Sequence, residues 1–452
     1  MARLFGTDGI RGIAFQDPVT EEMGRRLGHA LITFLAGKEA EASVVIGRDT
    51  RASGEALDLA VAAGALSAGG TVSRVGVIPT PAVAYLTRAQ GAGAGVVISA
   101  SHNPNEYNGF KVFSSEGYKL SQEEEIELES LILDAPAPPA RGGAVEVAEQ
   151  KECRERYLAF LRATLPKGFS LRNRHIVMDC ANGATSGLAP VLFRGLGAEV
   201  DALSATPDGE NINRGCGSEH TGPLRQRVLE TTAHVGLAFD GDGDRLIAVD
   251  ERGNVLSGDQ ILTIFARMLQ EQGALRNHLV VATVMSNMGL HAALEALGIE
   301  VVSTPVGDRW VMEEMRARGA SLGGEDSGHM IFSDHHTTGD GLISALQLVA
   351  AMETFQKPLS ELGRWMRPFP QTLVSVPVQT KRPLSEVQEV QRVIKEIEEV
   401  LGKRGRVLVR YSGTEPVCRV MVEGEAKEEV EGYANRIAEV IEQRLNRVRE
   451  NT

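Results

Sequence analysis

The chain has 452 residues, 42% hydrophobic and 24% charged, which is too long for one ordinary core and too apolar for a disordered or fibrous polymer. Its formal net charge of -13 argues against a broad nucleic-acid or anionic-membrane surface, because such surfaces need a basic excess. No run approaches the roughly 20 apolar residues that span a bilayer, and Arg3, Asp8 and Arg11 interrupt any signal-peptide core, so a cytoplasmic protein is expected.

Along the chain, a β-branched strand over 44–46 precedes a helix-like stretch that stops at Gly69-Gly70, and a second strand follows from Thr71. Glycine is a natural helix stop because it takes the left-handed conformation cheaply. The same unit recurs with a strand over 176–178, a stop at Gly195-Leu196-Gly197 and a strand reaching Val200, and again with a strand over 279–284, a stop at Gly298 and a strand reaching Val301. Three tandem α/β domains are the economical interpretation.

Ala135-Pro136-Ala137-Pro138-Pro139, followed by Arg141-Gly142-Gly143, continues neither a helix nor a central strand and reads as a surface connection, with a bridging helix over 153–163. A turn at Glu251-Arg252-Gly253-Asn254 separates the strand Leu246–Asp250 from a helix starting near Gly258, and a third break falls at Arg367-Pro368-Phe369-Pro370. Beyond it come a strand over 373–378, a helix over 384–401, strands over 407–411 and 417–423, and a last helix from Lys427, the pattern of an α+β domain with an antiparallel sheet. The expected domains are therefore 1–150, 151–252, 253–367 and 368–452. Cys153, Cys180, Cys216 and Cys418 are scattered without a Cys-x-x-Cys pair, so neither a zinc site nor a disulfide framework is expected.

Four polar loops carry the chemistry. The strand over 95–99 runs into Ala100-Ser101-His102-Asn103-Pro104, which puts a hydroxyl just beyond a strand's C-terminal end, where open α/β sheets hold ligands. Ser101 is a candidate nucleophile, although the segment alone reads equally as a turn. In Asp240-Gly241-Asp242-Gly243-Asp244-Arg245, three carboxylates at alternate positions face one way along an extended stretch. They repel one another unless a cation neutralises them, and hard oxygen ligands suit Mg²⁺. A calcium loop is disfavoured because the EF-hand spacing and its final glutamate are missing, and a solvated acidic turn is the alternative reading.

The third loop, Gly323-Gly324-Glu325-Asp326-Ser327-Gly328-His329, offers acceptors for sugar hydroxyls and an imidazole that titrates near neutral pH. In the fourth, Arg410, Ser412, Gly413 and Thr414, with Arg419 beyond, are good donors to a phosphate dianion, and the same segment is a β-hairpin turn. Arg11 and Lys111 supply further cations beside the Ser101 strand, although each taken singly reads as a surface charge.

In this order, Ser99-Ala100-Ser101-His102-Asn103-Pro104 and Asp240-Gly241-Asp242-Gly243-Asp244-Arg245 resemble the α-D-phosphohexomutase superfamily across essentially the whole chain. Leu4 to Gly12, the 323–329 loop, Thr337-Thr338-Gly339-Asp340-Gly341 and Arg410 to Pro416 are similar to its bacterial amino-sugar branch, except that Asp326 stands where that pattern has glutamine. The resemblance implies an α/β protein of three tandem α/β domains with mixed sheets plus a C-terminal α+β domain, arranged around a central cleft with one loop from each.

It also implies conversion of glucosamine 6-phosphate to glucosamine 1-phosphate through a phosphorylated Ser101 and a 1,6-bisphosphate intermediate, feeding UDP-N-acetylglucosamine and cell-wall precursor synthesis. Mg²⁺ would be held by Asp240, Asp242, Asp244 and the Ser101 phosphate, with glucose or glucosamine 1,6-bisphosphate as activator. Lys111, Arg11, Arg245 and His329 would act at the transferring phosphate, Glu325 and Ser327 on the sugar, and Arg410, Ser412, Gly413, Thr414 and Arg419 on the other phosphate. A homodimer is implied only by the resemblance. The rival readings are a glucose- or mannose-phosphate mutase of the same superfamily, a sugar-phosphate phosphatase, and a noncatalytic sugar-phosphate-binding protein.

Overall fold

The computed structural model describes residues 4–6, 8–134, 147–412 and 416–445, apart from the side chain of Lys403. The proline-rich connection at 135–143 and two of the expected phosphate-loop residues, Gly413 and Thr414, lie outside the described residues. The chain divides into two compact units, one of residues 1–285 and 298–365 and the other of 286–297 and 366–452.

Among the described residues, the first unit holds three mixed sheets. The first is built from β1 (Ile10–Ile13), α1 (Glu21–Gly37), β2 (Ser43–Arg48), α2 (Gly54–Ser67), β3 (Thr71–Val77), α3 (Thr80–Gln90), β4 (Ala94–Ile98), β5 (Tyr107–Ser114) and α4 (Gln122–Asp134). Its order is β1-β5-β4-β2-β3, with β2, β3 and β4 parallel and β5 antiparallel to both β4 and β1. Helix α1 starts where the Thr20 hydroxyl accepts from Met23 N at 3.1 Å, and it packs on α2 at glycine. A Cβ on Gly64 would lie 2.0 Å from the Arg25 carbonyl oxygen, so only glycine lets these two helices approach.

After α5 (Glu152–Ala163), the second sheet comes from β6 (His175–Asp179), α6 (Ala189–Gly195), β7 (Glu199–Leu203), α7 (Gly222–Thr231), β8 (Val235–Phe239), β9 (Leu246–Asp250) and β10 (Val255–Leu256). Its order is β10-β9-β8-β6-β7. The short strand β10 pairs antiparallel with β9 across the 251–254 turn, which makes a hairpin of the expected break. The third sheet, β12-β11-β13-β14, uses α8 (Gly258–Glu271), β11 (Leu279–Thr283), β12 (Glu300–Thr304), α10 (Asp308–Arg318), β13 (Leu322–Gly324), β14 (Met330–Phe332), α11 (Gly341–Phe355) and α12 (Leu359–Leu362). Between β11 and β12 runs α9 (Met288–Glu295).

Strands β4 and β8 are buried along their whole length, as their unbroken apolar sequences Ala-Gly-Val-Val-Ile and Val-Gly-Leu-Ala-Phe require of central strands covered on both faces. Each therefore delivers its following loop rigidly. Ser101 follows β4 and Asp240 follows β8.

The second unit is an antiparallel sheet, β15 (Gln371–Pro377), β17 (Val417–Gly424) and β16 (Gly405–Tyr411) in that order, covered by α13 (Gln388–Leu401) and α14 (Lys427–Leu445). The helix expected over 384–401 is interrupted. Leu384–Glu386 forms a separate 3₁₀ turn, and Val387, at φ -97 and ψ 86, breaks the helix before Gln388. Helix α9 belongs to this unit: Asn287 exchanges two hydrogen bonds with the Phe369 backbone, and the Met288 N–H donates to Glu423 Oε1 at 2.8 Å. Among the described residues, no helix is long and apolar enough to cross a membrane.

Candidate active site

Ser101 is 1% exposed and sits at φ +51, a left-handed conformation unusual for serine. Its backbone N–H donates to Ser99 Oγ at 2.9 Å, and Ser99 Oγ donates to Asp49 Oδ2 at 2.6 Å, so the turn is held by its own neighbours. The Ser101 hydroxyl donates to Asp240 Oδ2 at 2.5 Å, and His102 Nδ1 lies 3.4 Å from it. The first and second loops therefore meet at the nucleophile.

Asp240, Asp242 and Asp244 are all buried, and one oxygen from each lies within 4.8 Å of the others. Asp240 has both oxygens engaged, Oδ2 by Ser101 and Oδ1 by the Arg245 N–H at 3.2 Å. Asp242 Oδ2 accepts from Thr80 Oγ1 at 2.5 Å and from Lys111 Nζ at 2.8 Å. In contrast, Asp242 Oδ1 and Asp244 Oδ1 are buried and accept no hydrogen bond among the described residues, although Arg245 Nε stands 3.9 Å from the latter.

Buried carboxylate oxygens without donors are costly, and a hard divalent cation is the partner that an all-oxygen set of this kind fits. Burial, and after it Asp244 and Asp242, push the Asp240 carboxyl well above the usual carboxylate range. For Asp244, burial also pushes upward, but Lys111 and His329 outweigh it and hold the group well below that range.

The cations come from three directions. Lys111, on β5, stands 2.8 Å from Asp242, 3.0 Å from Asp8 and 3.6 Å from Asp244. Burial would lower its pKa, but the three carboxylates raise it far above the ordinary value. Arg11, on β1, pairs with Asp8, and the β1–β5 register sets Arg11 opposite Gly109. Arg245 forms a backbone bridge with His329, which brings the metal loop to the third loop. His329 stands 3.7 Å from Asp244 and 3.4 Å from Asp308, and Gly339 lies directly against its ring.

Sequence reasoning missed three members of this constellation. Asp8, Lys119 and Asp308 complete a ring of alternating charge: Asp8, Lys119, Asp308, His329, Asp244 and Lys111, returning to Asp8. Asp8 and Asp308 each follow or lead a glycine-rich turn, Gly6-Thr7-Asp8-Gly9 and Gly307-Asp308-Arg309, and that polar-turn signal is the one that singled out the other loops.

In the third loop, Glu325 is half-buried and its Oε1 accepts from the Gly307 N–H at 3.1 Å, while Ser327 is exposed. Asp326 turns away to the start of α8. Its carbonyl oxygen accepts from Gly258 N at 3.0 Å and its Oδ1 from Asp259 N at 3.3 Å, where the helix dipole favours a carboxylate. In the second unit, Arg410 and Arg419 are directly opposite one another on β16 and β17. Like charges facing across strands repel, so the pair suits a dianion. Ser412 is buried, and its carbonyl oxygen accepts from Lys381 Nζ at 2.6 Å.

Four pieces of the phosphoglucomutase/phosphomannomutase family match the chain in succession: alpha/beta/alpha domain I at residues 2–137, domain II at 155–253, domain III at 257–369 and the C-terminal domain at 373–440. The phosphoglucosamine mutase of Syntrophus aciditrophicus is 50% identical over 448 residues, covering 98% of this chain and 100% of that protein. The phosphoglucosamine mutase of Anoxybacillus flavithermus is 51% identical with the same coverage. Among solved structures, a phosphoglucomutase/phosphomannomutase family protein from Burkholderia thailandensis shares the fold with a TM-score of 0.81 at 24% identity, over 98% of each chain. With its four domains matched and half its residues shared with full-length relatives, the chain belongs to the phosphoglucomutase/phosphomannomutase family of phosphohexose mutases.

Proposed function

We propose that the enzyme interconverts glucosamine 6-phosphate and glucosamine 1-phosphate, with Ser101 as the phosphoryl carrier. The observation that carries this reading is the Ser101 hydroxyl set 2.5 Å from Asp240 within a carboxylate triad that retains two oxygens without a donor among the described residues. The amino sugar is supported by the phosphoglucosamine mutases that share half of the sequence.

In the forward direction the bond between phosphorus and Ser101 Oγ breaks as a bond forms to the C1 hydroxyl of glucosamine 6-phosphate. The hydroxyl proton ends on Ser101, which is left as the free alcohol. The resulting 1,6-bisphosphate turns over and returns its C6 phosphate to Ser101, releasing glucosamine 1-phosphate. Such transfers depend on alignment and charge neutralisation more than on covalent help from the protein.

Asp240, Asp242 and Asp244 are the residues that would hold Mg²⁺ beside the Ser101 phosphate. The bound ion supplies positive charge to the transferring group. Lys111, fixed among three carboxylates, remains an ammonium and contributes charge rather than accepting a proton. Arg11, Arg245 and His329 add positive charge around the same oxygens. Glu325 and Ser327 take the sugar hydroxyls, and Arg410, Ser412, Gly413, Thr414 and Arg419 take the phosphate that is not reacting.

The reading takes one loop from each of the expected domains, 1–150, 151–252, 253–367 and 368–452. The reading also gives the enzyme a cytoplasmic site of action and a hexose 1,6-bisphosphate as activator.

Intact-mass measurement of the purified protein should find one phosphate on Ser101, removable by substrate and absent from Ser101→Ala. Rates on glucosamine, glucose and mannose phosphates, with bisphosphate supplied, should favour glucosamine. A preference for either other sugar would overturn the substrate assignment, and turnover by Ser101→Ala would overturn the mechanism.

A further inference from the structure

The loop that carries Ser101 is gripped from behind. Arg51 is 2% exposed and uses all five of its guanidinium N–H donors. Nε donates to Asp49 Oδ2 at 2.9 Å, Nη1 to the carbonyl oxygens of Pro104 and Tyr107, and Nη2 to those of Ser101 at 3.0 Å and Asn103 at 2.8 Å. Asn213, from the second sheet's side of the unit, reaches the same two acceptors: its Nδ2 donates to Ser101 O at 2.8 Å and Asn103 O at 3.0 Å. Two carbonyl oxygens, one on each side of His102-Asn103, are thus held by the same two donor groups.

Each part of this cage has a reason to be rigid. Ser101 is held at a positive φ, a conformation that costs a non-glycine residue of the order of 1–3 kcal/mol and persists only where its surroundings fix it. The metal loop rests on the cage itself: a Cβ on Gly241 would lie 2.5 Å from Ser101 O and 2.9 Å from Asn213 Nδ2. The relation between the Ser101 hydroxyl and the Asp240 carboxylate is therefore set by Arg51 and Asn213, through backbone carbonyls, and neither side chain needs to touch substrate.

We propose that Arg51 and Asn213 are positioning residues for phosphoryl transfer, locking the phosphoserine loop to the metal loop through the carbonyl oxygens of Ser101 and Asn103. Arg51 acts from the first domain and Asn213 from the second, so the cage keeps the carrier and its metal ligands aligned while the bisphosphate turns over. This inference rests on the reading of Ser101 as the carrier.

The test is Asn213→Gly beside Arg51→Lys. Asn213 itself sits at φ +58, where glycine is at ease, so Asn213→Gly removes the amide and keeps the backbone. Lysine keeps the charge facing Asp49 but offers three donors in place of five and no planar fork. A displacement of about 1 Å at a reacting centre can cost on the order of 100-fold in rate, so each variant is expected to lower kcat at least about tenfold while KM stays within about threefold. The Mg²⁺ concentration for half-maximal activity and the thermal midpoint of Asn213→Gly should stay near those of the wild type. Rapid-quench measurement of phosphate leaving the prelabelled enzyme should show the same deficit.

Wild-type kcat in Asn213→Gly, or a loss carried by KM, overturns the proposal. If Arg51→Lys does not fold, Asn213→Gly alone decides. Ser101→Ala separates the two levels: phosphate incorporation in that variant sinks the carrier reading, whereas a fully active Asn213→Gly with an inert Ser101→Ala sinks only the cage.

Discussion

Lys119 Nζ lies 2.6 Å from Asp308 Oδ2, and this contact closes the charge ring that joins all three α/β domains of the first unit. Both side chains are nearly buried, at 12% and 13% exposure. Burial would lower the Lys119 pKa, but Asp308 and Asp8 raise it, and the reciprocal pull of Lys119 and His329 depresses Asp308 against its own burial. The two partners thus agree that the pair is ionised.

Asp308→Asn is accordingly expected to destabilise the protein in urea unfolding by less than the ~3 kcal/mol of a fully broken buried pair, because Lys119 keeps Asp8 and His329 keeps Asp244 while each loses one of its two carboxylates. Lys119→Met combined with Asp308→Leu should recover much of that loss, since no orphan charge remains. A single substitution that leaves stability unchanged would mean the ring does not hold the domains.

The donor-free oxygens of Asp242 and Asp244 lead to a thermodynamic expectation that needs no substrate. Mg²⁺ that binds only the folded state should stabilise the protein by about 2.7 kcal/mol at a hundredfold excess over its dissociation constant. Chelation should remove both this increment and mutase activity. Asp242→Asn and Asp244→Asn should each blunt the thermal shift, and an undiminished shift in both would place the ion elsewhere.

Much of this site was legible in the sequence because its parts are local. The Ser101 turn and the Asp240 to Asp244 repeat are contiguous, and each follows an unbroken apolar strand that stands out in the sequence. Asp8 and Asp308 sit at polar turns whose local signal is weaker than that of the four loops, and Lys119 is an ordinary charge in its own segment; all three acquire their meaning only when three sheets bring them to the ring. The role of Asp326 was likewise hidden, since its partner, the start of α8, lies 67 residues away in the chain. The grouping of α9 with the second unit is also non-local: it comes from contacts of Asn287 and Met288 with Phe369 and Glu423, more than 80 residues along the chain.

Asp340 gives a pH dependence of defined sign. It caps α11, accepting from Leu342 N and Ile343 N, and takes a hydrogen bond from the Tyr157 hydroxyl at 2.6 Å. Burial outweighs those bonds and raises its pKa from 3.8 to about 6. A carboxyl raised on folding adds stability below its unfolded pKa and loses it as pH climbs through the folded value, so ionised Asp340 costs up to about 3 kcal/mol at neutral pH, at 1.36 kcal/mol per unit.

Asn is as good a helix cap as Asp. The stability gained by Asp340→Asn should therefore be near zero at pH 4 and grow through pH 6. His336 slopes the other way in the same range: burial lowers it to about 4, so its contribution is complete above pH 6.5 and fades as the pH falls. Both its nitrogens are engaged in the neutral ring, one with Pro81 O and one with Thr337 N–H. A gain for Asp340→Asn that does not change between pH 4 and pH 8 would remove the burial account.

Two glycine substitutions should separate catalytic geometry from stability. Gly432 lies exposed inside α14, and a Cβ added to it would meet nothing within 4 Å, so Gly432→Ala should stabilise the second unit by about 1 kcal/mol through helix propensity and leave kcat unchanged. Gly241→Ala is the contrary case. Its methyl would press to 2.5 Å on the Ser101 carbonyl oxygen, a backbone atom that cannot rotate away, as well as to 2.9 Å on the side chains of Asn213 and Ile212. The two loops must separate, moving Asp240 from the Ser101 hydroxyl, and a shift of about 1 Å there is expected to reduce kcat by roughly 100-fold. The Mg²⁺-dependent thermal shift should survive, because Asp240, Asp242 and Asp244 remain. Activity within twofold of the wild type in Gly241→Ala would show that transfer tolerates a loosened fit between the two loops.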